Sequence, residues 1–268
     1  MSKKSEKIGV GIITCNRKDY LVNLLESIAN RNDLELVIIN DGGPLEVPGW
    51  NHYVVNNETN LGVGKSKNRA MQHLLDKGCD YIFIIEDDMV ILNDCIFEHY
   101  INAYKKTGIQ HFMFAYHGPA NKNGVSGGVP FPRKVIDYGD VKVSLNQHCV
   151  GSFCFYTRQC LEAVGLMDEE FDKNNFEHVE HSYRLAKAKY STPYWWWADI
   201  ANSLEYIKEQ ACSEVSSSIR RGNDWFDKIM WSARLFEKKH GYMPAWENAV
   251  PDTHIDEVIT VLKQLKNK

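Results

Sequence analysis

The chain has 268 residues, 44% of them hydrophobic and 25% charged, an ordinary globular balance for one large domain or one domain with a small appendage. Its formal charge of -4 gives the whole chain no basic footprint for nucleic acid or an anionic membrane. No apolar run approaches the roughly 20 residues that a membrane helix needs, and Ile8 to Thr14 is too short for a signal-peptide core, so the expected location is cytoplasmic.

In chain order, Ile8 to Thr14 reads as a buried strand, and Lys18 to Ala29 places Leu21, Leu24, Leu25 and Ile28 at helical spacing. Leu34 to Asn40 is a second strand, stopped by the turn signal Asp41-Gly42-Gly43-Pro44. His52 to Val55 is a short third strand. Gly64 to Lys77 is helical, with Ala70, Met71, Leu74 and Leu75 facing inward and Gly78 beyond its end. Tyr81 to Ile85, apolar at every position, suits a central strand covered on both faces. Asp94 to Lys106 is again helical. This alternation predicts an α/β domain with a Rossmann-like, mixed but mostly parallel sheet flanked by helices.

The second half is less regular. Ser126 to Pro132 reads as loop, Val141 to Leu145 and Cys149 to Tyr156 as strands, and Phe176 to Lys189 as helix. Asp224 to Lys239 and Thr253 to Lys266 are helical, the latter opened by a capping box of Thr253 and Asp256. Residues 1–212 are therefore expected to form the catalytic domain and 213–268 a helical C-terminal extension. Seven scattered cysteines without a CxxC pair suggest reduced thiols rather than a disulfide framework or zinc site.

Ligands of open α/β sheets bind beyond the carboxyl ends of the strands. Four polar groups stand there: Thr14 to Arg17, Asp41, Asn60 to Lys65, and Glu86-Asp87-Asp88. Crowded carboxylates repel, and a divalent cation would relieve them; Mg²⁺ and Mn²⁺ take oxygen ligands, commonly one or two carboxylates plus substrate phosphates. On spacing alone a solvated acidic loop fits the triplet equally well.

The triplet also resembles the DxD-type motif of family 2 glycosyltransferases, which have the A-type (nucleotide-diphospho-sugar transferase) fold. Gly11-Ile-Ile-Thr-Cys-Asn-Arg17 is similar to that family's opening strand and loop, Asn40-Asp41-Gly42-Gly43 to its D-G-S/G turn, and Asn60 to Ala70 to its N-x-G segment and following helix. The resemblance covers about residues 7 to 210, and the order and spacing of the motifs make it specific. It implies that Thr14, Asn16, Arg17, Asn60 and Gly62 line the nucleotide pocket and that Asp41 accepts a hydrogen bond from the base. Lys65 and Arg69 would face the diphosphate or sugar. Asp88 would ligate Mn²⁺ or Mg²⁺, while Asp87, counted among the catalytic groups, and Glu86 would touch ribose or sugar hydroxyls.

Phe176-Glu-His-Val-Glu-His-Ser-Tyr-Arg184 resembles the family's acceptor-side segment, but His178 stands where the basic aspartate is usual. Either Glu177 or His178 would deprotonate the acceptor. Glu180 would bind acceptor or anchor its helix through Arg184. Among the tryptophans, Trp196 and Trp197 would stack on acceptor sugar or pack in the core. Asp199 falls where the family places a further metal ligand, usually histidine. Arg220 and Arg221 would bind the diphosphate from a closing loop.

The resemblance thus implies an inverting, metal-dependent transfer from a UDP-sugar or other nucleotide sugar to a hydroxyl, with a bacterial surface or lipid-linked glycan as the expected acceptor. A modified base of phage DNA and a non-catalytic, lectin-like role on the same fold are the alternatives. A nucleotidyltransferase would want a glycine-rich phosphate loop near the N-terminus, and Gly9-Val-Gly11 lies inside an apolar strand instead.

Overall fold

The structure is a computed structural model, which describes residues 6–118, 121, 134–171, 176–193, 196–210, 225–241 and 255–265. Its centre is a six-stranded sheet. The strands, in chain order, are β1 (Ile8–Thr14), β2 (Glu35–Asn40), β3 (Val54–Asn56), β4 (Tyr81–Glu86), β6 (His111–Met113) and β9 (Phe153–Thr157), lying in the spatial order β3-β2-β1-β4-β9-β6. β1 pairs in parallel with β2 and β4, and β2 with β3. β9 runs antiparallel to both β4 and β6. β6 therefore points the same way as β1 and β4. The carboxyl ends of five strands and the amino end of β9 share one rim.

A two-stranded antiparallel sheet joins β5 (Met89–Ile91) to β11 (Ile207–Glu209), directly after the acidic triplet. A three-stranded antiparallel sheet holds β7 (Lys134–Asp137), β8 (Lys142–Asn146) and β10 (Trp197–Ile200) in the order β10-β8-β7.

Helices cover the sheet. α1 (Lys18–Ser27) buries Leu21, Leu24 and Leu25. α2 (Val63–Asp76) lies close against β1, because Gly11 has no side chain; a Cβ there would stand 2.7 Å from that of Ala70. α3 (Ile96–Thr107) buries Phe97 and Tyr100 and stops at Gly108, whose φ of 77° suits the left-handed end of a helix. Phe83 of β4 meets Phe97, Tyr100, Phe153 and Phe155 in the aromatic centre of the core. α4 (Arg158–Val164) is capped by Thr157, whose hydroxyl accepts from the Cys160 amide. α5 (Glu177–Lys187) carries the EHVEHSYR segment.

Of the two C-terminal helices, α6 (Trp225–His240) docks on α5 through Phe236 and His240 against Tyr183, and α7 (Ile255–Leu265) packs against α3. The expected loop at 126–132, Thr253 of the expected capping box, and Arg220 and Arg221 lie outside the described residues. Among the described residues no helix is long and apolar enough to cross a membrane. The described cysteines are free thiols, four of them buried.

Candidate active site

The rim gathers the sequence-predicted groups around the turn between β4 and β5. Asp87 is fully buried. Its carboxylate accepts from the Thr14 hydroxyl at 2.7 Å and pairs with the Arg17 guanidinium. Burial pushes the Asp87 carboxyl up to about 7, with Asp88 adding to the rise and Arg17 and Thr14 opposing it.

Asp88 is the less satisfied of the two. Its Oδ2 takes Arg17 Nη1 at 3.1 Å and lies 3.5 Å from His117 Nε2. Its Oδ1 is buried with no hydrogen-bond donor. Burial disfavours the Asp88 anion, but His117 and Arg17 outweigh it and hold the carboxyl below its ordinary range. His117 responds in kind: burial works against its protonation, and Asp88 overcomes that and raises it. The 3.5 Å separation is an ion-pair distance rather than a hydrogen bond, which leaves the buried His117 Nε2 without a hydrogen-bond partner.

A carboxylate with one orphaned oxygen, its other oxygen 3.5 Å from an imidazole nitrogen that must shed its proton to bind a metal, suits a divalent cation that accepts O and N ligands, Mn²⁺ in particular. Among the described residues no three His, Cys, Asp or Glu side chains converge as a complete cage. A cation here would complete its shell with phosphate oxygens and water, as Mg²⁺-type sites do.

The turn is fastened from the far side. The Gln210 amide N–H donates to the Asp88 carbonyl at 2.6 Å. Its side-chain NH₂ reaches the carbonyls of Tyr20, Asp87 and Met89 at 3.0 to 3.2 Å.

Asp41 stands on the same rim, directly after β2. Its carboxylate accepts from Asn57 Nδ2 at 2.6 Å and from the backbone amides of Leu61 and Gly62 at 2.7 and 2.9 Å. It thereby holds the loop that opens α2, where Gly62 adopts a φ of 87°. Asn60 Nδ2 donates to the Asp41 carbonyl at 2.8 Å, and Asn16 Oδ1 accepts from the Gly43 amide at 2.8 Å. Lys65 is half-buried on the first turn of α2, whereas Arg69 is exposed and donates to Asn57.

The acceptor-side segment approaches from α5. Glu177 is buried, and its Oε1 lies 3.1 Å from His178 Nδ1 and 3.5 Å from Lys67 Nζ. Burial would raise the Glu177 carboxyl, but His178 and Lys67 together bring it down to about 2. Just before it, Phe176 has a φ of 68°, a left-handed conformation that a bulky residue adopts at a cost. Before Arg17, Asn16 also has a positive φ, 56°, which asparagine adopts readily.

Three expectations are corrected. Glu180 is no acceptor ligand: it is buried, gripped by Arg184 Nε at 2.8 and 2.9 Å, and reached by His240. Trp196 and Trp197 are each 1% exposed and belong to the core, so neither offers a face to a sugar. Asp199 is no metal ligand, because its carboxylate already takes four donors: the hydroxyls of Tyr100 and Ser203 and the amides of Ala115 and Ile200. In turn, the sequence reading missed His117, Lys67 and Gln210.

The profile of the family described as Glycosyl transferase family 2 matches residues 9–165, which is more than half of the chain. An uncharacterized glycosyltransferase, R363, of Acanthamoeba polyphaga mimivirus is 26% identical over 234 residues, 80% of this chain and 85% of that one. The fold is similar to S. aureus TarS residues 1–349 in complex with UDP-GlcNAc, with TM-score 0.56 and 14% identity over 97% of this chain and 72% of that one. It is also similar to GalNAc-T7 with UDP, GalNAc and Mn²⁺, with TM-score 0.58 and 12% identity over 94% and 58%. A third is the mannosyltransferase PcManGT of Pyrobaculum calidifontis in complex with GDP-Man and Mn²⁺, with TM-score 0.50 and 13% identity over 98% and 70%. The opening strand from Gly9 on, the acidic turn and the loop that Asp41 holds all fall within the matched stretch, and the chain belongs to glycosyl transferase family 2.

Proposed function

We propose that this glycosyltransferase moves a sugar from a nucleotide diphosphosugar to an acceptor hydroxyl with inversion at the anomeric carbon, and that it depends on a divalent cation. The observation that carries the reading is Asp88, whose Oδ1 is a buried acceptor without a donor while its Oδ2 meets Arg17 and lies 3.5 Å from His117. Asp88 and His117 would hold Mn²⁺ or Mg²⁺, which when bound offsets the charge of the departing diphosphate. Arg17, already between Asp87 and Asp88, is placed to turn toward phosphate oxygens. Thr14 and Asp87, both buried, would hold Arg17 at the edge of the donor site, with Glu86 facing the sugar and the loop that Asp41 organises facing the base. The UDP-GlcNAc, GDP-Man and Mn²⁺ named for the similar structures support this donor class and metal.

On the acceptor side the geometry favours His178 as the base. With Nδ1–H donating to Glu177 Oε1, Nε2 is left with its lone pair. It takes the hydroxyl proton as the acceptor oxygen bonds to the anomeric carbon. The bond from that carbon to phosphate breaks on the opposite face, and the nucleoside diphosphate leaves with the electron pair. The expected acceptor is a glycan hydroxyl on a surface or lipid-linked chain; the formal charge of -4 disfavours DNA.

The test is donor hydrolysis and transfer with UDP-GlcNAc and GDP-mannose, with and without EDTA. Chelation is expected to stop both and added Mn²⁺ to restore them, and proton NMR is expected to show an inverted product. Turnover untouched by EDTA would remove the metal, and a retained configuration would remove His178 as sole base.

A further inference from the structure

Lys67 lies on the inward stripe of α2, in line with Ala70, Met71 and Leu74. Its ammonium is fully enclosed. Nζ stands 2.7 Å from Glu86 Oε1, 2.9 Å from the Gly151 carbonyl and 3.5 Å from Glu177 Oε1. Glu86 ends β4 beside the acidic turn, and Glu177 opens α5 and orients His178. One buried cation therefore touches the carboxylate at the donor side and the carboxylate at the acceptor side.

Stability alone does not call for this. Taking an ammonium and its partners out of water costs several kcal/mol per ion, and an apolar residue of similar length commonly serves packing as well or better. What the ammonium can supply instead is a fixed separation of the two carboxylates. The surroundings are cut to fit it. A Cβ on Gly64 would lie 3.2 Å from that of Glu177, and one on Gly151 would collide with the His178 ring at 2.7 Å. Both glycines clear room for the Glu177–His178 pair, and Glu177 Oε2 is left buried without a donor.

We propose that Lys67 is a positioning residue for transfer, holding Glu86 and Glu177 at a fixed separation so that donor sugar and acceptor base are set by one charge. The inference rests on the reading of Glu86 as facing the donor sugar and His178 as the base. Two consequences set it apart from simple charge neutralisation. Loss of the ammonium disturbs recognition of the sugar but not of the nucleoside diphosphate, and it slows transfer even with both substrates bound.

The experiment compares the unmodified protein with Lys67→Met, Lys67→Arg and the double variant Lys67→Met with Glu177→Gln, which keeps the buried charge balanced if the single variant does not fold. Calorimetry with Mn²⁺ reads affinity for UDP and UDP-GlcNAc, and for GDP and GDP-mannose. Steady-state transfer separates kcat from KM. The expected result is diphosphate affinity within about threefold in every variant, nucleotide-sugar affinity about tenfold weaker in Lys67→Met and the double variant, and kcat down about 100-fold in Lys67→Met, the double variant being read on affinity alone because it also lacks the carboxylate that orients His178. Lys67→Arg regains most of both. A folded Lys67→Met with the unmodified affinity ratio and kcat, a double variant with the unmodified affinity ratio, or either one altered only in thermal stability, overturns the proposal. If the unmodified protein binds neither nucleotide sugar, the donor reading itself falls, and the inference with it, before any substitution is compared.

Discussion

Asp88 and Asp199 are both buried aspartates, yet the chain treats them in opposite ways. Asp199 is surrounded by two hydroxyls and two backbone amides and has nothing left to offer. Asp88 is surrounded by charge, with one oxygen given no donor at all. Burial makes a polar group expensive in either case. What distinguishes a binding group from a structural one is the valence left open, and only the first of the two has any.

Substituting each aspartate in turn should split activity from stability most widely. Asp88→Ala is expected to lower transfer on the order of 1000-fold while costing at most about 2 kcal/mol of stability, since Arg17 keeps its pair with Asp87 when the Asp88 anion is removed. Asp199→Ala should do the reverse. It strands the Tyr100 and Ser203 hydroxyls and costs about 3 kcal/mol, while each folded molecule turns over within about twofold of the original rate. Urea unfolding and initial rates read both. A folded Asp199→Ala protein that no longer binds Mn²⁺ would put Asp199 back among the ligands.

Acid offers a second contrast, between structural burial and the charged rim. Burial lowers His111 to about 4 and His181 to about 3, in the latter case with help from Arg184, so both stay neutral in the fold. The unfolded chain takes up protons below about pH 6.5 and the folded one does not. Stability is therefore expected to be fully present above that pH and to fall as pH drops toward 4, by about 3 kcal/mol for His111 alone. Denaturation midpoints that stay flat from pH 7 to 4.5 would contradict it.

The smallest effect concerns the other carboxylate removed from the site. His240→Ala deletes the bond to Glu180 and the ring contacts with Tyr183 and Phe236, and is expected to cost about 1 kcal/mol without changing turnover, because Arg184 still grips Glu180. A marked rise in acceptor KM instead would return Glu180 to the acceptor site.

The first half of the site was readable because each polar group follows an apolar strand long enough to recognise. Thr14, Asp41 and Asp88 mark the ends of β1, β2 and β4. His117 obeys the same rule, but its strand, β6, has only three residues and left too little pattern to see; the apolar run from His111 to Tyr116 was the available signal. Lys67 stood in plain view on the apolar stripe of α2, where a cation among inward positions signals a buried partner. The rule of carboxyl ends could not supply Gly151, because β9 runs backwards and brings its beginning to the rim. Trp196, Trp197 and Asp199 misled for a different reason. Aromatic and acidic residues serve core and site alike; burial tells which for the tryptophans, and the count of satisfied hydrogen bonds for the aspartate.

In mechanical terms Gln210 is a buckle. One side-chain NH₂ and one backbone N–H pull the carbonyls of Tyr20, Asp87, Asp88 and Met89 to a single point, and Asn23 latches its oxygen from outside. A glutamate there, one nitrogen exchanged for oxygen, would turn the buckle into a wedge, with a carboxylate pressed against three carbonyl oxygens and no hydrogen to give them.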